Sequence, residues 1–75
     1  MRLVSMNQLK KEVVEKFNKE MGFAPSMKAI IPMESSGAGC YYNWLAFCVG
    51  KIGYTYSVSD RLLERNTVYD LKEGD

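Results

Sequence analysis

The first third of the chain has an apolar residue at every fourth position. This repeat consists of Leu9, Val13, Phe17 and Met21. Side chains four residues apart lie on one face of an α-helix, so the pattern predicts an amphipathic helix over residues 6–21. Ser5 followed by Gln8 has the form of a capping box, in which the serine hydroxyl accepts a hydrogen bond from the Gln8 amide. Gly22 and then Pro25 are typical of a helix end.

Charged residues occupy the other positions of this predicted helix. Glu12 precedes Lys16 by four residues, and Glu15 precedes Lys19 by the same spacing. Acidic-to-basic pairs in this order stabilise an exposed helix face by about 0.2–0.5 kcal/mol each. We therefore expect both glutamates to pair with these lysines, on positions largely outside the apolar stripe.

The middle of the chain predicts a β-hairpin. Two aromatic-rich segments, residues 40–49 and 52–58, flank Gly50 and Lys51. Glycine in the first position of a two-residue loop is typical of a type II′ turn, and such a turn sets the register of the two strands. The paired residues are then Val49 with Ile52, Cys48 with Gly53, Phe47 with Tyr54, Ala46 with Thr55, Leu45 with Tyr56, and Trp44 with Ser57.

Side chains alternate between the two faces of a strand, so this register separates an apolar face from a face of small and polar residues. We expect the helix to cover the apolar face. The predicted core is Leu9, Val13, Phe17, Leu45, Phe47, Val49, Ile52, Tyr54 and Tyr56. On the opposite face we expect Tyr42 and Trp44, with Trp44 either exposed or covered by Arg61 or the C-terminal segment. Cys48, opposite Gly53 on that face, is expected to be partly accessible.

The flanking segments carry weaker patterns. Residues 27–33 are apolar and β-branched and predict a strand, which Pro32 either ends or confines to a sheet edge. Residues 34–39 are rich in serine and glycine and predict a flexible loop. Residues 62–70 favour a final strand, although a short helix capped by Ser59 also fits. The sequence thus predicts an α+β fold, with one N-terminal amphipathic helix packed on an antiparallel β-meander of three or four strands.

The amino-acid composition limits the reactions and binding sites that the chain can support. The 75 residues suit a single small domain, residues 1–75, and they include no histidine, the commonest general base and metal ligand. Cys40 and Cys48 lie on one predicted strand, about 26 Å apart, which is too far for a disulfide between them. We therefore expect no enzyme activity, no metal site, no cofactor and no disulfide.

The net charge and hydropathy of the chain indicate which compartment and which classes of partner suit it. Ten basic and nine acidic residues leave a net charge of +1, which gives no general electrostatic case for nucleic acid. Charged side chains interrupt residues 1–21, unlike a signal peptide, and no stretch approaches the roughly 20 apolar residues of a membrane helix. We expect a cytoplasmic protein without membrane contact.

The candidate binding residues combine aromatic, small polar and basic side chains. They are Tyr42, Trp44, Lys51, Thr55 and Arg61. A large aromatic side chain on a polar sheet face is typical of an anchor for a partner protein. Our hypothesis is a non-enzymatic binding or regulatory module that acts through an exposed sheet face or an edge strand, on a partner protein or a second copy. The alternative is an accessory nucleic-acid-binding protein, with bases stacked on the aromatic rings and phosphates on the basic residues.

Overall fold

The computed structural model describes residues 2–72 and has the α+β fold that the sequence predicts. One helix, α1, spans Met6–Met21 and packs on a five-stranded antiparallel sheet, one strand more than the upper expected number. The strands are β1 (Val4–Ser5), β2 (Ile30–Ala38), β3 (Tyr41–Val49), β4 (Ile52–Ser57) and β5 (Leu62–Arg65). No helix within the described residues is long and apolar enough to cross a membrane.

The predicted helix is confirmed at both ends. The Gln8 amide donates a hydrogen bond of 3.2 Å to the Ser5 hydroxyl, as the capping sequence indicates. Gly22 follows the last turn in a left-handed conformation, φ 85°, and its N–H donates to the Asn18 carbonyl at 3.1 Å. Glycine adopts this conformation without the steric cost that a Cβ brings, so the helix ends there.

The central hairpin has the predicted register at all six residue pairs. Gly50 has φ 66° in the two-residue turn, which is the conformation that a type II′ turn requires at its first position. The strands start and end slightly differently from the prediction, because β3 begins at Tyr41 and β4 ends at Ser57. Cys40 therefore lies in the preceding turn and not in the strand.

Strand β2 is longer than the sequence indicates. A 3₁₀ turn covers Met27–Ala29, and the strand then continues through residues 34–38, which the serine and glycine content predicts as a flexible loop. Pairing with β3 holds these residues extended despite their low β propensity. The hairpin turn is at Gly39, φ 62°, followed by Cys40. Pro32 is compatible with this strand because β2 lies at the edge of the sheet.

Strand β3 is the central strand. Strand β2 lies along one side of it, while β4 and the short β1 lie along the other side. Strand β5 pairs with β4 and ends at Arg65. The predicted strand over 62–70 is thus only partly right. Thr67–Tyr69 form a 3₁₀ turn, capped by the Asn66 side chain, which accepts a hydrogen bond of 3.1 Å from the Val68 amide.

The core lies between α1 and the sheet. Its buried members are Leu9, Val13, Phe17, Ile30, Leu45, Phe47, Tyr54, Tyr56, Val58 and Leu63. Two of the predicted core residues are less buried than expected, because Ile52 is 44% exposed and Val49 is only partly buried. Both flank the Gly50 turn at the end of the hairpin, where less of the fold covers them. Val58, just past the end of β4, is fully buried instead.

Candidate functional site

Strand β2 has an unpaired edge. Eight of its nine residues pair with β3 on one side, and no strand within residues 2–72 pairs with the other side. Every residue of β2 after Ile30 is exposed, including the large apolar residues Ile31 and Met33. Met33 is an extra residue between Pro32 and Glu34, which produces a bulge in the strand. Such an edge presents backbone N–H and C=O groups that another strand can bind.

We call the sheet face turned away from α1 the outer face. Its strand residues are Ile31, Glu34, Ser36, Trp44, Ala46, Cys48, Gly53, Thr55, Ser57, Leu62 and Glu64. Residues 66–71, the C-terminal strap, lie across this face. The expectation that Cys48 is accessible is wrong, because Cys48 is fully buried and its thiol donates to the Tyr69 carbonyl at 2.8 Å. Burial raises the pKa of this thiol.

Gly53 allows the strap to approach the sheet closely. The Asn66 amide donates to the Gly53 carbonyl at 3.0 Å, and the Gly53 amide donates to the Asp70 carboxylate at 2.7 Å. A Cβ on Gly53 would lie 2.5 Å from the Asn66 carbonyl oxygen and 2.6 Å from the carbonyl carbon of Tyr69. Asp70 also forms an ion pair with Arg65, which lowers the pKa of that carboxyl group. The strap is thus held by backbone and side-chain contacts together.

Trp44 contacts the strap but is not fully covered by it. Its ring lies against Tyr69, with the ring centroids 6.4 Å apart and an angle of 62° between the planes. The Tyr69 hydroxyl donates a hydrogen bond of 2.8 Å to the Glu34 carboxylate. The sequence leaves open whether Trp44 is exposed or covered by Arg61 or the C-terminal segment. In the structure the C-terminal segment contacts Trp44, and part of the side chain remains exposed to solvent.

Two exposed carboxylates lie close to Trp44 on this side of the sheet, and a third lies two strands away. Glu34 lies on the neighbouring strand β2, one residue pair further along the face. Ser57 is directly opposite Trp44, and its hydroxyl is 3.4 Å from the Asp60 carboxylate. Glu64 lies on β5. The outer-face strand residues include no lysine or arginine, so the half-buried aromatic ring has an acidic environment, which attracts cations.

The sequence prediction that Tyr42 shares a face with Trp44 is wrong. Ser36 pairs with Trp44, and the next residue, Gly37, pairs with Tyr42. Asn43 is therefore an extra residue in β3, a bulge that breaks the alternation of side chains. As a result Tyr42 packs against the core, on the side that faces α1.

The structure does not gather the five candidate residues into one site. Trp44 and Thr55 share the outer face, whereas Tyr42 lies on the helix side. Lys51 is exposed in the β3–β4 turn. Arg61 lies in the β4–β5 turn with φ 52° and lines a cleft on the helix side of the sheet. The cleft has a volume of about 210 Å³ and is lined by Glu12, Glu15, Lys16, Lys19, Tyr56 and Arg61.

Glu12 is buried and binds other partners in place of the predicted pair with Lys16. Its carboxylate accepts hydrogen bonds from the Arg2 guanidinium at 2.9 Å and from the Tyr56 hydroxyl at 3.1 Å, while Lys16 pairs with Glu20 at 3.7 Å. The hydrogen bond from Arg2 lowers the pKa of Glu12. Burial, and then the bond to Glu12, raises the pKa of Tyr56 to about 12. The arrangement joins the N-terminal segment, α1 and β4, a structural role.

Sequence reasoning missed Glu34, Asp60 and Tyr69 as parts of this surface. A glycine inside a predicted strand often marks a close approach by another backbone segment, so Gly53 was a usable signal for the strap. Glycine in the first position of the two-residue turn at Gly39 was a second signal, since it indicates that the preceding segment is a strand. Neither signal identifies the carboxylates that end up beside Trp44.

The outer edge of β2 and the acidic surroundings of Trp44 adjoin each other and form the candidate site. The described residues contain no group of three or more histidine, cysteine, aspartate or glutamate side chains that could hold a metal ion. Both cysteines are free thiols, with Cys40 exposed and Cys48 buried. No known protein family matches this chain, and comparisons with curated proteins and with solved structures found no match either.

Proposed function

We propose that this protein is a small non-enzymatic binding or regulatory module of the cytoplasm, whose partner adds a strand to the outer edge of β2. The observation that carries the proposal is the length and exposure of that edge: nine residues, with all but Ile30 exposed. In such complexes main-chain hydrogen bonds supply much of the affinity, and alternate side chains supply the specificity. A reducing compartment suits its two free thiols.

The features of β2 favour a different protein over a second copy as the partner. A symmetric antiparallel pairing of two β2 strands over their full length is centred on Glu34, the fifth of the nine residues. Each Glu34 would then face its counterpart, and like charges directly opposite each other are destabilising. Pro32 and the bulge at Met33 also limit edge-to-edge pairing of identical strands.

The geometry gives less support to the alternative of nucleic acid binding. Bases would have to stack on Trp44, but the neighbouring carboxylates of Glu34 and Asp60 would repel phosphates. The basic residues expected to contact phosphate do not surround it, because Arg61 lies on the helix side of the sheet.

The test selects peptides from a random twelve-residue library displayed on phage, using the whole protein as bait. Bound peptides are then mapped by amide hydrogen exchange. We expect the peptides to slow exchange at residues 30–38 and to leave residues 66–71 unchanged. Protection confined to other surfaces, or no selected peptide at all, contradicts the proposal.

Oligomeric state is measured in parallel by size-exclusion chromatography with light scattering over a concentration series in reducing buffer. We expect a monomer. A dimer in which residues 30–38 are protected from exchange would make a second copy the occupant of the edge, contrary to the like-charge argument.

A further inference from the structure

The edge of β2 and the ring of Trp44 are one strand apart. Ser36 on β2 pairs directly with Trp44 on β3, and both side chains lie on the outer face. A strand bound to β2 would lie about 4.8 Å from it and about 10 Å from β3. Its side chain opposite Ser36 would point to the outer face, and Ser36, whose hydroxyl donates to the Asn43 side-chain oxygen at 2.9 Å, would lie between it and the tryptophan ring.

This position is also the most acidic part of the edge. Glu34 precedes Ser36 by two residues on the same strand and lies on the outer face with it. Its carboxylate is kept on this face by the hydrogen bond from Tyr69. Asp60 lies beyond Trp44, bonded to the hydroxyl of Ser57. A long side chain that crosses Ser36 would therefore pass Glu34 and end beside the exposed part of the Trp44 side chain, with a second carboxylate beyond it.

We infer that the partner is an extended, basic protein segment, with a lysine or arginine opposite Ser36 whose charged group binds the Glu34 carboxylate beside the exposed part of the Trp44 side chain. This inference rests on the proposed function, since it names the chemistry of the strand that binds β2. Charge complementarity is its basis: the strand residues of the outer face include two glutamates and no basic residue. A cation beside both a carboxylate and an aromatic side chain gains from both interactions.

The exposed side chain of Ile31 predicts a second feature of the segment that binds β2. Ile31 also lies on the outer face, at the other end of β2, and is 45% exposed. A bound strand would have an apolar side chain opposite it. The expected segment therefore combines one basic residue with an apolar residue several positions away on the same face.

The closing experiment uses the peptides selected from the twelve-residue library. We expect lysine or arginine to be enriched at one position, and replacement of that residue by methionine to weaken binding by about tenfold, measured through the fluorescence of Trp44. Glu34→Gln should weaken the basic peptide to a similar extent, because glutamine keeps a hydrogen-bond acceptor for Tyr69 but removes the charge. Glu15→Gln, an exposed position on α1, is the matched control and should have no effect.

The decisive result is the coupling between the two changes. With the methionine peptide, Glu34→Gln should cause almost no further loss, because the interaction is already removed. Peptides that protect residues 30–38 without carrying a basic residue, or equal losses from Glu34→Gln for both peptides, overturn this inference and leave edge binding intact. A library without any peptide that protects β2 overturns edge binding as well. Thermal unfolding of the Glu34→Gln variant should match the wild type, which separates a binding defect from a folding defect.

Discussion

Replacement of Gly53 by alanine tests whether the strap is held by its close approach to β4. The added Cβ would lie 2.5 Å from the Asn66 carbonyl oxygen and 2.6 Å from the carbonyl carbon of Tyr69. Both are backbone atoms, which cannot rotate away as the end of a side chain can. The strap must therefore move outward, and its hydrogen bonds to the sheet lengthen or break.

The expected loss of stability follows from the contacts involved. The backbone hydrogen bonds from Asn66 to Gly53 and from Leu71 to Lys51 are each 3.0 Å long, and a typical hydrogen bond contributes about 0.5–1.5 kcal/mol. Partial exposure of buried Cys48 adds to this, while the lower entropy of the unfolded alanine chain offsets about 0.4–1 kcal/mol. We expect a net loss of about 1–3 kcal/mol, and a melting temperature lower by about 5–20 °C for a domain of this size.

Thiol reactivity distinguishes movement of the strap from a general loss of stability. Cys40 is exposed and Cys48 is buried, so a thiol reagent should modify one thiol rapidly in the native wild type and two in the Gly53→Ala variant. Gly50→Ala is the control: Gly50 has φ 66°, with nothing within 4 Å of an added Cβ. That change should cost about 1–2 kcal/mol through backbone strain, yet leave Cys48 protected. Equal Cys48 reactivity in the two variants would refute the reasoning.

Three further changes test the helix side. Glu12→Gln should lower the free energy of unfolding by about 1–2 kcal/mol at pH 7, because it removes the charge that binds Arg2; Glu15→Gln should change it by less than about 0.5 kcal/mol. The pKa of Glu12 is lower in the folded protein than in the unfolded chain. Its contribution to stability is therefore present above the unfolded pKa of about 4.3 and is lost as pH falls through the folded value. Acid unfolding curves of wild type and Glu12→Gln should converge at low pH. Tyr56→Phe should lower the free energy of unfolding by about 1 kcal/mol at neutral pH. Because folding raises the pKa of Tyr56 from 10.0 to about 12, this difference between wild type and variant should vanish as pH rises across that interval. Urea unfolding at a series of pH values measures it. Ser5→Ala should cost about 1 kcal/mol through loss of the helix cap, a value that circular dichroism melts can check.

The elements that the sequence predicts well depend on local patterns. Helix α1 has a repeat, a capping serine and a terminal glycine within one continuous segment. The β3–β4 hairpin has a two-residue turn whose geometry determines every pair after it. In both cases the interactions that select the structure join residues near each other in the chain, so the sequence itself carries the information.

The elements that were missed depend on distant partners. Residues 34–38 have the composition of a loop and become a strand because β3 lies beside them. The bulge at Asn43 reverses which face Tyr42 occupies, and no periodic pattern in β3 indicates it. Glu12 follows Leu9 by three residues, a spacing that also lies on the buried face of a helix. Its burial is made favourable by hydrogen bonds from Arg2, Tyr56 and Gln8. The candidate site was predicted in part, since Trp44 belongs to it.

The strap links the stability of the fold to the proposed binding surface. It covers Cys48 at the centre of the outer face and leaves Trp44 and the β2 edge accessible. Its Tyr69 also binds the Glu34 carboxylate, the group expected to attract a basic partner. Displacement of the strap would free Glu34 from this contact and expose a larger apolar face, so Gly53→Ala should reduce selectivity for basic over neutral peptides although Gly53 does not adjoin β2. The segment that covers the outer face therefore also sets the chemistry of the surface beside it.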